Sequence, residues 1–71
     1  MKDSRNKILA SNIKAERNRK GYTQSELAEL INVSDSTISL IERGKQTPSI
    51  FIVYEIAKVL GIEINELLKG I

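Results

Sequence analysis

The sequence predicts an all-α fold: a compact five-helix domain whose second and third helices form a helix-turn-helix. Three observations predict it. Apolar residues recur at helical spacing, and no stretch alternates with period two long enough to make a strand. Residues 24 to 43, QSELAELINVSDSTISLIER, put Leu27, Ala28 and Ile31 on one helix face and Ile38 and Ile41 on another, with only three or four residues between. Helices joined so tightly cross and share one small core. Helix-stop and helix-start residues also punctuate the chain: Gly21, Gly44 and Gly61 as stops, Thr23, Ser34 and Pro48-Ser49 as starts.

The first helix covers about residues 6–20, with Leu9, Ile13 and the aliphatic stem of Arg17 at four-residue intervals. Gly21 ends it where a left-handed residue is wanted. Thr23-Gln24-Ser25-Glu26 is a capping box, in which the Thr23 hydroxyl accepts from the Glu26 amide and the Glu26 carboxylate reaches back to the Thr23 amide. The second helix follows over about 24–31. Asn32, which tolerates the left-handed conformation better than most residues, takes the turn. Ser34 caps the third helix, about 35–43, with Asp35 near the positive end of its dipole.

The fourth helix, about 49–60, contains IFIVYEIAKVL. At about 100° per residue its inward stripe is Ile50, Val53, Tyr54, Ala57 and Leu60. Phe51 then falls opposite, near Glu55 and Lys58, and Ile52, Ile56 and Val59 make a second apolar stripe. A short fifth helix, about 63–69, carries Ile64, Leu67 and Leu68 to cover part of that stripe.

At 71 residues the chain is expected to be one domain over 1–71, near the lower limit for a core-stabilised fold. It has no Cys and no His, which removes disulfides, thiolate zinc sites and the usual nucleophile or imidazole-base chemistry. Dispersed carboxylates and little room for a cleft argue further against an enzyme, and no metal, cofactor or small-molecule ligand is implied. No run of 18 apolar residues exists, and MKDSRNK lacks the apolar core of a signal peptide. A soluble, cytoplasmic chain is expected; it begins at Met1 and gives no sign of truncation, with one domain of a longer protein as the alternative.

The net charge is only +2, but it is unevenly placed. Residues 1–23 carry Lys2, Arg5, Lys7, Lys14, Arg17, Arg19 and Lys20 against Asp3 and Glu16, whereas 24–42 carry Glu26, Glu29, Asp35 and Glu42 with no basic residue. Arg43 and Lys45 follow. Basic flanks beside a neutral-to-acidic helical unit suit a protein that grips phosphates at the edges of its footprint. The outer face of the third helix, Asp35, Ser36, Ser39 and Leu40, is left free by the shared core, and a helix of this length fits the major groove of B-DNA.

Residues 9–68 resemble the helix-turn-helix domain of the lambda-repressor and Cro-like (XRE-type) regulators. The resemblance is carried by Leu9, Ala10, Ile13 and Arg17, by Gly21-Tyr22-Thr23-Gln24, Leu27-Ala28 and Ile38, and by Ile41-Glu42-Arg43-Gly44. Pro48-Ser49, Ile56-Ala57, Leu60-Gly61 and Leu67-Leu68 continue it. It implies a phosphate clamp at Gln24, where the free N–H groups of a helix start also favour an anion. It implies further backbone contacts from Thr23, Lys14, Arg43 and Lys45, and base reading by Ser34, Asp35, Ser36, Ser39 and Leu40. It implies too that Arg17 and Glu42 form a structural ion pair linking the first helix to the end of the third. Three positions depart from the family pattern: Glu16, expected to thin the first helix's core; Asn32, in place of a turn glycine; and Glu63, in place of a capping serine.

The reading surface lacks Arg, Lys, Gln and Asn, the side chains that bond two atoms of a purine at once. Specificity is therefore expected to lean on phosphate contacts and DNA shape. Leu40 faces either a thymine methyl or the first helix. Phe51 and Ile52, with Ile62, Ile64 or Ile71, are candidates for a homodimer interface. The expected function is a DNA-binding transcriptional regulator, a repressor acting as a homodimer on a pseudo-palindromic site. The competing reading is a protein-interaction module with weak DNA binding.

Overall fold

A computed structural model describes residues 4–71 as α1 (Ser4–Arg19), α2 (Gln24–Leu30), α3 (Asp35–Glu42), α4 (Ile50–Leu60) and α5 (Ile64–Leu67). Met1, Lys2 and Asp3 lie outside the described residues, and with them two charges of the basic N-terminal segment and the start of MKDSRNK. Among the described residues there is no strand, and no helix is long and apolar enough to cross a membrane.

Four helix ends share one construction. After α1 to α4 the chain turns through a left-handed residue: Gly21, Asn32, Gly44 and Gly61. In each, the next residue's N–H reaches back to a carbonyl in the helix: Tyr22 to Arg17 at 3.2 Å, Val33 to Ala28 at 2.9 Å, Lys45 to Leu40 at 2.9 Å and Ile62 to Ala57 at 3.0 Å. This pairing satisfies carbonyls that a bare helix end leaves open, and it forces a sharp reversal of the chain. Asn32, at φ 61°, makes it possible to fit the turn between α2 and α3 without glycine. The starts are equally defined. Thr23, Ser34 and Ser49 accept from the amides of Glu26, Thr37 and Ile52 at 3.0, 3.1 and 3.2 Å, and the Glu26 carboxylate completes the capping box on the Thr23 amide at 2.8 Å.

These reversals fold α2 onto α3 and pack α1 against α3, α4 and α5. The core is Leu9, Ile13, Leu27, Ala28, Ile38, Ile41, Val53, Ile56, Ala57, Leu60 and Leu67. Two expectations are corrected here. In α4 the buried stripe is Val53, Ile56, Ala57 and Leu60, while Ile50 and Tyr54 are exposed at 62% and 53%. A helix apolar on nearly every side gives no unique inward face by periodicity; α1, α2 and α5, which pack on it, select the one containing Ile56. The fifth helix is a single turn, shorter than the expected 63–69. Glu63 at its start makes no side-chain cap.

Its far end is held from outside. Asn12, on α1, donates to the carbonyls of Leu67 at 2.9 Å and Lys69 at 2.8 Å, so α5 needs no further turn to satisfy them. Glu16, expected to thin the core, is buried, and Arg19 closes over its carboxylate at 2.9 Å.

Asn12→Ala leaves those two carbonyls without their donor and is expected to lower unfolding stability by about 1–2 kcal/mol. Asn12→Asp is expected to cost more, because a carboxylate repels both oxygens. Urea titration followed by far-ultraviolet circular dichroism measures both.

Candidate nucleic-acid interface

The end of α3 is pinned by one polar network. Arg17 meets Glu42 with two parallel bonds, Nε to Oε2 at 2.6 Å and Nη2 to Oε1 at 2.9 Å, and its Nη1 donates to the carbonyl of Tyr22 at 2.8 Å. The side chains are only 9% and 1% exposed. The bond to Glu42 raises the Arg17 pKa above its already high ordinary value; burial opposes this, and the Coulomb attraction of Glu42 adds to it. The guanidinium therefore keeps its charge at every accessible pH. Gln24, the first residue of α2, donates its Nε2 to Glu42 Oε1 at 3.0 Å. One carboxylate thus ties α1, α2 and α3 together.

This gives Gln24 a geometry that its motif position does not reveal. Its amide is turned toward Glu42 and half-buried, so one of its two N–H groups is engaged and the other remains for an outside acceptor. Thr23 is exposed, with its hydroxyl oxygen accepting the cap bond.

On α3, Asp35 and Ser36 are exposed, and Ser39 and Leu40 are half-buried. Ser34 caps the helix and also shares a hydroxyl–hydroxyl bond of 2.8 Å with Thr37. Asp35 accepts a hydrogen bond from Ser25 on α2. Ser36 makes no side-chain hydrogen bond among the described residues. Leu40 is not among the apolar side chains packed on the core, whereas its carbonyl anchors the loop after α3 through Lys45 and Gln46.

Lys14, Arg43 and Lys45 are all exposed. Lys14 and Arg43 line an open cleft between α1 and the end of α3 together with Lys7, Ala10, Ser11, Glu42 and Gly44. Lys7 and Ser11 were missed as site residues. Their signal was present, since Lys7, Ser11 and Lys14 stand four and three residues apart on one face of α1. None of Lys7, Lys14, Arg43 and Lys45 has a carboxylate partner among the described residues, because Glu42 is committed to Arg17 and Gln24. Asn6 fixes the cleft's rim by donating to the Gly44 carbonyl at 3.1 Å. The chemistry on offer is a set of unpaired cations beside a helix whose outer face is free. Among the described residues no group of acidic, His or Cys side chains could hold a metal.

The suggested dimer residues separate into two kinds. Phe51 is 77% exposed on α4, beside Ile50 and Tyr54, and Ile71 is exposed at the C-terminal end. Ile52, Ile62 and Ile64 are half-buried against the core and present only their outer edges.

Comparison with known proteins places this geometry. A helix-turn-helix family model, HTH_3, matches residues 13–67, which hold every core residue but Leu9. The chain is 42% identical over 60 residues to YazB of Bacillus subtilis, an uncharacterized HTH-type transcriptional regulator, covering 84% of this chain and 87% of that protein. It is 42% identical over 62 residues to the HTH-type transcriptional regulator SinR of the same organism, covering 86% of this chain and 56% of SinR. The crystal structure of SinR in complex with DNA, where it is described as the master regulator for biofilm formation, superposes with a TM-score of 0.80 at 42% identity. It covers 86% of this chain and 98% of the SinR chain. The restriction-modification controller protein C.AhdI from Aeromonas hydrophila superposes with a TM-score of 0.86 at 28% identity, over 92% of this chain and 98% of that one.

Arg17→Met strands the Glu42 carboxylate and is expected to cost about 3–5 kcal/mol of stability, enough to populate unfolded chains in a domain this small. Combining it with Glu42→Leu removes the stranded charge and is expected to recover part of that loss. Denaturation midpoints of the single and double variants decide it.

Proposed function

This chain belongs to the HTH_3 helix-turn-helix family, the lambda-repressor and Cro-like DNA-binding transcriptional regulators, and from that premise we propose that it is a cytoplasmic repressor that binds a pseudo-palindromic operator as a homodimer. The observation that carries the reading is the group of cations without a carboxylate partner among the described residues, Lys7, Lys14 and Arg43 in the cleft and exposed Lys45 just after it, beside an α3 whose angle is held by the Arg17–Glu42–Gln24 network. The cations neutralise phosphates at the edge of the footprint where the end of α3 meets α1, and the free N–H of Gln24 takes a further point on the backbone. The outer face of α3 then lies along base edges. Thr23 accepts the cap bond at its hydroxyl oxygen, which leaves the hydroxyl proton to donate to a phosphate next to Gln24.

Base reading falls to Asp35, Ser36, Ser39 and Leu40, with Ser34 at the helix start. Asp35 accepts from a base amino group, the serines bond to almost any edge, and Leu40, which lies off the core, packs on a thymine methyl. Ser34 is largely occupied by its cap.

The homodimer reading rests on Phe51. A side chain of that size, 77% exposed and flanked by exposed Ile50 and Tyr54, is an apolar patch that a second copy would cover. A two-fold dimer sets its two recognition helices about 34 Å apart, one turn of DNA.

Binding to a random duplex pool at two salt concentrations, with sequencing of the retained fraction, tests the function. A two-fold symmetric motif is expected. Retention without a motif would reduce the reading to backbone binding, and no retention at low salt would leave the protein-interaction reading centred on α4. Arg43→Ala is expected to weaken binding to all sites alike and to make the slope of log K against log salt shallower by about 1. Phe51→Glu is expected to be monomeric by sedimentation at concentrations where the wild type is dimeric, with half-site affinity retained. Unchanged sedimentation would remove the interface.

A further inference from the structure

Ser25 stands on the first turn of α2 and Asp35 is the first residue of α3; across the turn the Ser25 hydroxyl donates to Asp35 Oδ2. Both residues are exposed. The α2–α3 contact is already held by buried Leu27, Ala28, Ile38 and Ile41 and by the Gln24–Glu42 bond, so a solvent-exposed bond adds little to its stability. Its effect is directional. A lone carboxylate on a helix start samples several rotamers, and this bond selects one of them.

Two consequences follow from the atoms. A hydroxyl has one proton, so Ser25 cannot donate to a phosphate while it donates to Asp35. The second carboxylate oxygen, Oδ1, has no hydrogen-bond partner among the described residues and is left to accept. An ionised carboxylate only accepts, so in the major groove it is matched by the amino group of cytosine or adenine and opposed by guanine O6 and N7 or thymine O4.

We propose that Ser25, which lies outside the base-reading surface, is a specificity-positioning residue that aims the Asp35 carboxylate at an amino-bearing base edge. One position in each half-site is thereby restricted. This rests on the DNA-binding reading above and deepens it: the acidic first residue of α3 becomes a directed reader, with its direction supplied by the other helix of the motif.

The test compares wild type, Ser25→Ala, Ser25→Thr, Asp35→Ala and the double alanine variant. Each is selected on the random duplex pool, then titrated on the best site and its single-base variants at two salt concentrations. In Ser25→Ala, preference at one position per half-site is expected to fall by about five- to tenfold, the discrimination carried by one good hydrogen bond to a base. Other positions, the salt slope and the melting midpoint are expected to stay unchanged. Asp35→Ala is expected to lose the same preference, with no further loss in the double variant, and Ser25→Thr to restore it. A wild-type profile in Ser25→Ala, or failure of Ser25→Thr to restore the preference, overturns the proposal. A uniform loss of affinity with a shallower salt slope also overturns it, since Ser25 would then be a phosphate donor. Failure of the sequence-specific DNA-binding reading is seen separately, as a wild-type pool that is not retained or is retained without any motif, and it takes this proposal with it.

Discussion

The Glu42 carboxylate is the constraint from which the rest of the candidate interface follows. It is nearly inaccessible to solvent, and a charge so placed is tolerable only when matched by strong donors. Arg17 supplies two bonds from α1 and Gln24 supplies one from α2. Helix 3 has little length with which to hold its own orientation, so this three-way tie, together with Ile38 and Ile41 below it, sets the angle at which its outer face stands. It also decides the charge of the surface. With Glu42 bonded to Arg17 and Gln24, Lys7, Lys14 and Arg43 have no carboxylate partner among the described residues.

The loops are as constrained as the helices. The same left-handed reversal ends α1, α2, α3 and α4, and each time it returns an amide to the helix it has just left. At the end of α3 this lays the Lys45 and Gln46 amides on the Leu40 carbonyl and fixes Arg43 and Lys45 beside the cleft. A flexible loop would have to lose conformational entropy on meeting any ligand; here the loop is already ordered by folding.

Helix 4 shows the limit of pattern reading. Its period is helical and its ends are legible, with Ser49 before it and Gly61 after it. Its inward face was not legible, because IFIVYEIAKVL offers two apolar stripes of comparable strength. The packing of α1, α2 and α5 kept Val53, Ala57 and Leu60 of the expected stripe, added Ile56 from the other, and left Ile50, Phe51 and Tyr54 outside. The result is an apolar surface exposed by packing, with charged Lys58 nearby.

By itself the sequence determined the local elements and the identity of the motif. Caps, stops and apolar spacing are interactions between residues a few positions apart, so Thr23, Ser34, Asn32 and the Leu27–Ile41 core could be read without a structure. The Arg17–Glu42 pair was legible only through the family pattern, since nothing local connects residues 25 positions apart. Tertiary structure alone decided where side chains from different helices meet: Gln24 on Glu42, Ser25 on Asp35, Lys7 beside Arg43, and Asn12 on the end of α5. Each of these contacts depends on the angle between two helices. That angle is set by the fit of the whole core and is not written in the spacing of either helix.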